Sequence, residues 1–201
     1  MKKSYSEKPS IFRESPNVFD DASVTAHRKE IRDEILNLIV TSYDESDRAA
    51  VIVAAADFDA DLENLLTLAL LPASSRQDSI FESDRLLGTF SSKIILCQRL
   101  GIISSELMRS LEIVRRIRND FAHRVDESFS SEKQRPRLLE LISLVKKSKM
   151  YFLCLELFPD KNSPKAQFVA AASVVSLAIK SGIWTVKRAT VERAICVPDD
   201  A

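Results

Sequence analysis

Apolar residues recur along most of this chain at the three- and four-residue spacing of an amphipathic helix, and almost nowhere with the alternation of a strand. Ile31, Ile35, Leu38 and Ile39 set the first such stripe. Asp20, Asp21 or Ser23 suits its N-cap, so the pattern predicts a helix to about Val40. A second helix, opened by Asp44 or Ser46, runs to about Leu71, where Pro72 stops it. Its second half (Leu62, Leu65, Leu66, Ala69, Leu70) is apolar nearly all round, the mark of a central element. Residues 72–88 read as a connection with a short turn near 80–83. Thr89 then caps a third helix from Phe90 to Leu100. Gly101 takes the left-handed position after it, with Ile102 as the hydrophobic residue of a Schellman ending.

Ser104 opens a fourth helix, which the period carries to His123. Leu107, Leu111, Val114 and Phe121 form its core stripe, flanked by Ile113 and Ile117. Residues 124–133 are a polar loop. Pro136 suits the first turn of a fifth helix running to about Leu157. Pro159 and Pro164 bound a loop, and a sixth helix covers about Lys165 to Lys180, ended by Gly182. Trp184, Val186, Val191 and Ile195 fit either a short helix or an irregular tail. The expected fold is an all-α antiparallel bundle of five to seven helices. It comprises a flexible leader over 1–20, a bundle domain over 21–182 and a tail or short helix over 183–201.

Composition agrees with helices: the 201 residues are 45% hydrophobic and hold only 3 glycines. The net charge of zero excludes a coater of polyanions, so nucleic acid could be met only through a local basic patch. Cys97, Cys154 and Cys196 are scattered, with no Cys-x-x-Cys pair for a zinc ribbon or disulfide framework. The opening residues lack the apolar core of a signal peptide. The apolar run Phe168–Ile179 is shorter than the roughly 20 residues that span a bilayer and reads as a buried helix. A cytoplasmic protein with no membrane contact is expected.

Candidate chemistry concentrates at the end of the fourth helix, in Arg115-Arg116-Ile117-Arg118-Asn119-Asp120-Phe121-Ala122-His123. Arg115, Asn119 and His123 follow one another at four-residue intervals on a side distinct from the core stripe. Arg118 lies about 100° from Asn119 around the axis but is long enough to reach the same groove. A guanidinium binds phosphate by paired donors, Asn119 can orient it, and an imidazole can move a proton. The helix dipole favours a cation at His123. Arg115, Arg116 and Arg124 would widen a phosphate track.

The same residues also permit a plain solvated face, because Glu112–Arg116, Arg116–Asp120 and Asp120–Arg124 are all i, i+4 pairs of opposite charge. Asp57, Asp59 and Asp61 spread around the second helix and lack the glycine of a calcium loop, so no metal or cofactor is expected. His27, among Arg28, Lys29 and Glu30, reads as a surface residue. The loop and motif signatures of ATPases, zinc proteases and serine hydrolases are missing from the sequence.

Three segments, Leu87-Gly88-Thr89-Phe90-Ser91-Ser92-Lys93-Ile94, Leu100-Gly101-Ile102-Ile103-Ser104 and Ile117-Arg118-Asn119-Asp120-Phe121-Ala122-His123, resemble the mannitol operon repressor (MltR) family of small helical bacterial proteins. The likeness runs from Leu86 to roughly Phe129. Arg118-Asn119-x-x-x-His123 is also similar to the Arg-polar-x₃₋₅-His signature of the HEPN superfamily. Many of its members are metal-independent ribonucleases of toxin–antitoxin, CRISPR and antiphage systems. That resemblance implies catalytic roles for Arg118, Asn119 and His123, and a homodimer whose paired motif helices make one composite groove. The family likeness also leaves open a transcriptional regulator that works through a regulatory protein partner. A third reading is a non-catalytic interaction module, in which Asn119 and His123 tie the helix end to a neighbour.

Overall fold

A computed structural model describes residues 21–72 and 80–189. The expectations for the leader over 1–20, for the His27 side chain and for the tail from 190 onward fall outside the described residues. Among those described there are seven helices and no strand: α1 (Asp21–Asp44), α2 (Asp47–Ala69), α3 (Phe90–Arg99), α4 (Ser105–His123), α5 (Gln134–Val145), α6 (Lys149–Leu155) and α7 (Pro164–Ile183). The chain is an all-α helical bundle.

Local chemistry sets most of the boundaries. Ser46, Thr89 and Ser104 each accept a backbone N–H from the first turn of the helix they precede, and Thr89 and Ser92 close a reciprocal capping box. Gly101 adopts φ 71°. Its N–H donates to the Gln98 carbonyl, and that of Ile102 to Cys97 at 2.9 Å, which completes the Schellman ending. Gly88 answers a different need. A Cβ there would come within 2.2 Å of the Glu82 carbonyl oxygen, so only glycine lets the 80–87 turn fold back against α3.

Three expectations need correction. The single helix from Pro136 to Leu157 is two helices, because the chain turns at 146–148 and Ser148 caps α6 through the Met150 N–H. Gly182 does not end α7, which runs on to Ile183. α7 is also longer than its apolar run. By length and composition it could cross a membrane, but here it is the central helix of the core.

α7 touches α1, α2, α4, α5 and α6. Its run of small residues (Ala170, Ala171, Ala172, Ser173) is fully buried and allows these neighbours a close approach. α1 packs on α2, α2 on α4 and α4 on α5, while α3 lies outside across α2 and α4. Ile183, Trp184 and the chain beyond follow α7 to the end of α2, where the Ala189 N–H donates to the Ala69 carbonyl at 2.7 Å.

Charged residues hold α2 on two sides. Its acidic residues at 57, 59, 61 and 63 divide by helical period into two pairs. Asp57 and Asp61 meet Lys180 of α7, which also pairs with Glu34 of α1 at 2.9 Å. Asp59 and Glu63 meet Lys93 of α3 at 3.1 and 2.7 Å. Burial works against the charge on both lysines, but the hydrogen bonds that Lys93 donates to Glu63 and Asp59, and Lys180 to Asp61 and Glu34, hold them above their ordinary range. Burial also lifts Asp61 above the usual carboxylate range, against the pull of Lys180.

Candidate functional site: the cleft beside α4

The C-terminal end of α4 is fixed from three directions. Phe121 lies tilted against Phe129, and Phe129 stacks on Phe168, with ring centroids 5.2 and 4.7 Å apart. All three rings are buried. The Phe129 N–H donates to Asp47, and Arg48 donates to the Arg124 carbonyl, so the loop after α4 is tied to the start of α2. Asp120 anchors the third side. It accepts from Lys133 at 2.7 Å, from Gln134 at 3.0 Å and from Arg137 of α5. Burial alone would raise its pKa, but these donors prevail and bring it to about 2.

The i, i+4 ladder expected along α4 is therefore not what forms. Asp120 turns to α5, and Glu112 pairs with Arg115 at 2.8 Å, three residues on. Partners from another helix outcompete exposed neighbours because they are preorganised and less screened.

This rigid helix end borders a cleft of about 400 Å³ between α2, the start of α3 and α4. Arg115, Arg118 and Asn119 form one wall, Gly88, Thr89, Phe90 and Ser91 another, and Ile52, Ala55, Ala56 and Asp59 the third. Arg118 is exposed and donates to the Asn119 side-chain oxygen at 3.2 Å. Phe90 and Ser91 occupy the first turn of α3, where backbone N–H groups have no acceptor within the helix and the dipole is positive. Asp59 is the one carboxylate in the wall, and it pairs with Lys93, which Glu63 shares. The arrangement suits an anion.

Of the residues singled out by sequence, the structure brings Arg115, Arg118 and Asn119 into this cleft. His123 lies one turn beyond Asn119, is exposed, and does not line it. Arg116 and Arg124 are exposed. Arg135, at the start of α5, is exposed as well, and the motif does not reach it because it belongs to the next helix. Among the described residues no group of His, Cys, Asp or Glu is placed to hold a metal ion. Cys97 is buried, and burial pushes its thiol up to about 12, which leaves it inert as a nucleophile.

Compared with known proteins, the chain matches no family model, no curated protein and no solved structure.

Proposed function

We propose that this chain is a HEPN-like, MltR-related effector that acts on RNA and cleaves it without a metal, using Arg118, Asn119 and His123. The observation that carries this reading is the convergence of two separate segments. Gly88–Ser91 and the Arg118-Asn119 pair are far apart in sequence yet line one cleft, and both belong to the pattern on which the resemblance rests. The exposure of Arg118 and His123 supports it further, since neither is sealed in the core.

The chemistry needs few groups. The 2′-hydroxyl of RNA attacks the adjacent phosphorus as its proton leaves, and the bond to the 5′-oxygen breaks. His123 can take the first proton or supply one to the leaving oxygen. Arg118 stabilises the charge that develops on the phosphoryl oxygens. The products are a 2′,3′-cyclic phosphate and a 5′-hydroxyl. Asn119, already hydrogen-bonded to Arg118, holds the guanidinium in place. Arg116 and Arg124 would contact flanking phosphates, and pairing of two motif ends, as the resemblance implies, would add a second His123.

The test is incubation of the purified chain and its His123→Ala variant with total RNA and tRNA in excess chelator. Cleavage by the wild type and its loss in the variant, with RNA binding kept, supports the proposal. Binding by both without cleavage favours the regulator reading. Neither binding nor cleavage leaves the interaction module.

A further inference from the structure

The cleft beside α4 carries opposite charges on two of its walls, and they do not meet. Ile52, Ala55, Ala56 and Asp59 stand at i, i+3, i+4 and i+7 on α2, so that wall is an apolar stripe with a carboxylate at one end. The α4 wall presents Arg115, which pairs with Glu112, and Arg118, which donates to Asn119. Among the described residues Asp59 pairs with Lys93 alone, so no ion pair bridges the cleft.

Asp59 keeps acceptor capacity for a ligand. Its Oδ1 is buried and lies 3.1 Å from Lys93. The side chain is nevertheless 36% exposed, which leaves Oδ2 to the cleft. Lys93 is shared with Glu63, so one ammonium faces two carboxylates and the group stays negative. A phosphate alone fills little of about 400 Å³ and has no use for Asp59 or for the apolar stripe. An occupant that suits every wall has an anion at one end, an apolar-faced body, and an N–H donor at the other. A nucleotide has these parts. Its phosphate meets Arg118, Asn119 and the first-turn N–H groups of Phe90 and Ser91. Its base lies against Ile52 and Ala56, with its polar edge at Asp59.

We infer that the cleft holds one nucleotide of the RNA, next to the phosphate at Arg118, and that Asp59 selects a base with an exocyclic amino group. This rests on the proposed action on RNA and adds base selection to it. Adenine, guanine and cytosine each offer amino N–H donors, which a carboxylate accepts. Uracil has carbonyl oxygens on both sides of its N3–H, and a carboxylate repels them. His123 lies one turn beyond Asn119 and does not line the cleft, so the phosphate at Arg118 stands between the held base and the imidazole.

The test is calorimetric titration of the full chain with inorganic phosphate and with the 3′- and 5′-monophosphates of the four nucleosides. Adenosine, guanosine and cytidine monophosphates are expected to bind, and uridine monophosphate to bind about tenfold more weakly. Asp59→Asn should remove that difference, because an amide also donates to a uracil carbonyl, and Glu63 still partners Lys93 in this variant. Ala56→Leu, at an exposed position on the same stripe, should weaken all four nucleotides, as should Arg118→Ala. Uridine bound as tightly as the others overturns the inference. So does a preference that survives Asp59→Asn, inorganic phosphate bound as tightly as the nucleotides, or no nucleotide bound at all. Nucleotides bound in the expected order by a chain that leaves RNA intact support the inference and remove the cleavage reading. RNA cut equally at every base keeps the cleavage reading and overturns the inference.

Discussion

Helices α2 and α4 both carry dense charge, and they use it differently. The carboxylates of α2 are matched one side at a time to lysines that are themselves buried, Lys180 on α7 and Lys93 on α3. On α4, Asp120 meets Lys133 and Arg137, Glu112 meets Arg115, and Arg109 meets Glu140 of α5, whereas Arg116, Arg118 and His123 stand in water. Buried charge without a partner is costly, so the α2 clusters belong to the architecture. Exposed cations held on a rigid scaffold carry no such obligation and are available to a ligand.

Variants at the two regions should separate stability from activity. The largest effect is expected at Lys180. Lys180→Met leaves Asp61 buried without its cation, and denaturant unfolding should show a loss of about 3–5 kcal/mol, with melting lower by roughly 10 °C. Adding Asp61→Leu should recover most of it. If Lys180→Met melts like the wild type, the α2 clusters are not structural.

Arg118→Ala should do the reverse. Its melting should stay that of the wild type, while RNA cleavage falls on the order of 100-fold, about 2.7 kcal/mol. A matching loss of stability would place Arg118 with the architecture and erase the contrast.

Asp120 is the carboxylate that ties α4 to α5, and pH exposes it. Its carboxyl ionises at about 2 in the fold, below its ordinary value of 3.8. The unfolded chain therefore takes up the proton first as pH falls. The stability Asp120 contributes is full above about pH 4 and is lost toward pH 2, on the order of 1–2 kcal/mol. Asp120→Asn should lower stability at neutral pH by that amount and flatten this part of the acid profile. An unchanged profile would show that the links to Lys133 and Arg137 contribute nothing.

The smallest effect is expected at Arg116. Arg116→Ala should weaken RNA binding a few-fold at every sequence and reduce the salt dependence by about one counterion, with no change in melting. A strong sequence-dependent loss would make Arg116 a reader of bases.

Much of this fold is legible in the sequence because the deciding chemistry is local. Ser46, Thr89, Ser104 and Gly101 each act within a few residues of where they stand, and the helices start and stop there. The break before α6 is not legible, because the apolar period from Leu138 to Leu157 continues through it and only the turn at Ser148 ends the phase. The charge partners are not legible either. Asp120 could bond Arg116 or Arg124 by spacing, but Lys133 and Arg137 reach it through the packing of α5 on α4. The cleft shares this limit. Arg118 and Asn119 stand out as residue types, yet nothing in their spacing shows that the start of α3 forms the facing wall.

The most direct test of the account is the chemical nature of RNA ends after incubation with the full chain in chelator. RNA cut by the wild type should end in 2′,3′-cyclic phosphate, and an oligonucleotide with 2′-deoxy sugars at the cut positions should be bound but stay whole. Intact RNA, or cleavage that survives both the 2′-deoxy substitution and Arg118→Ala, would contradict it.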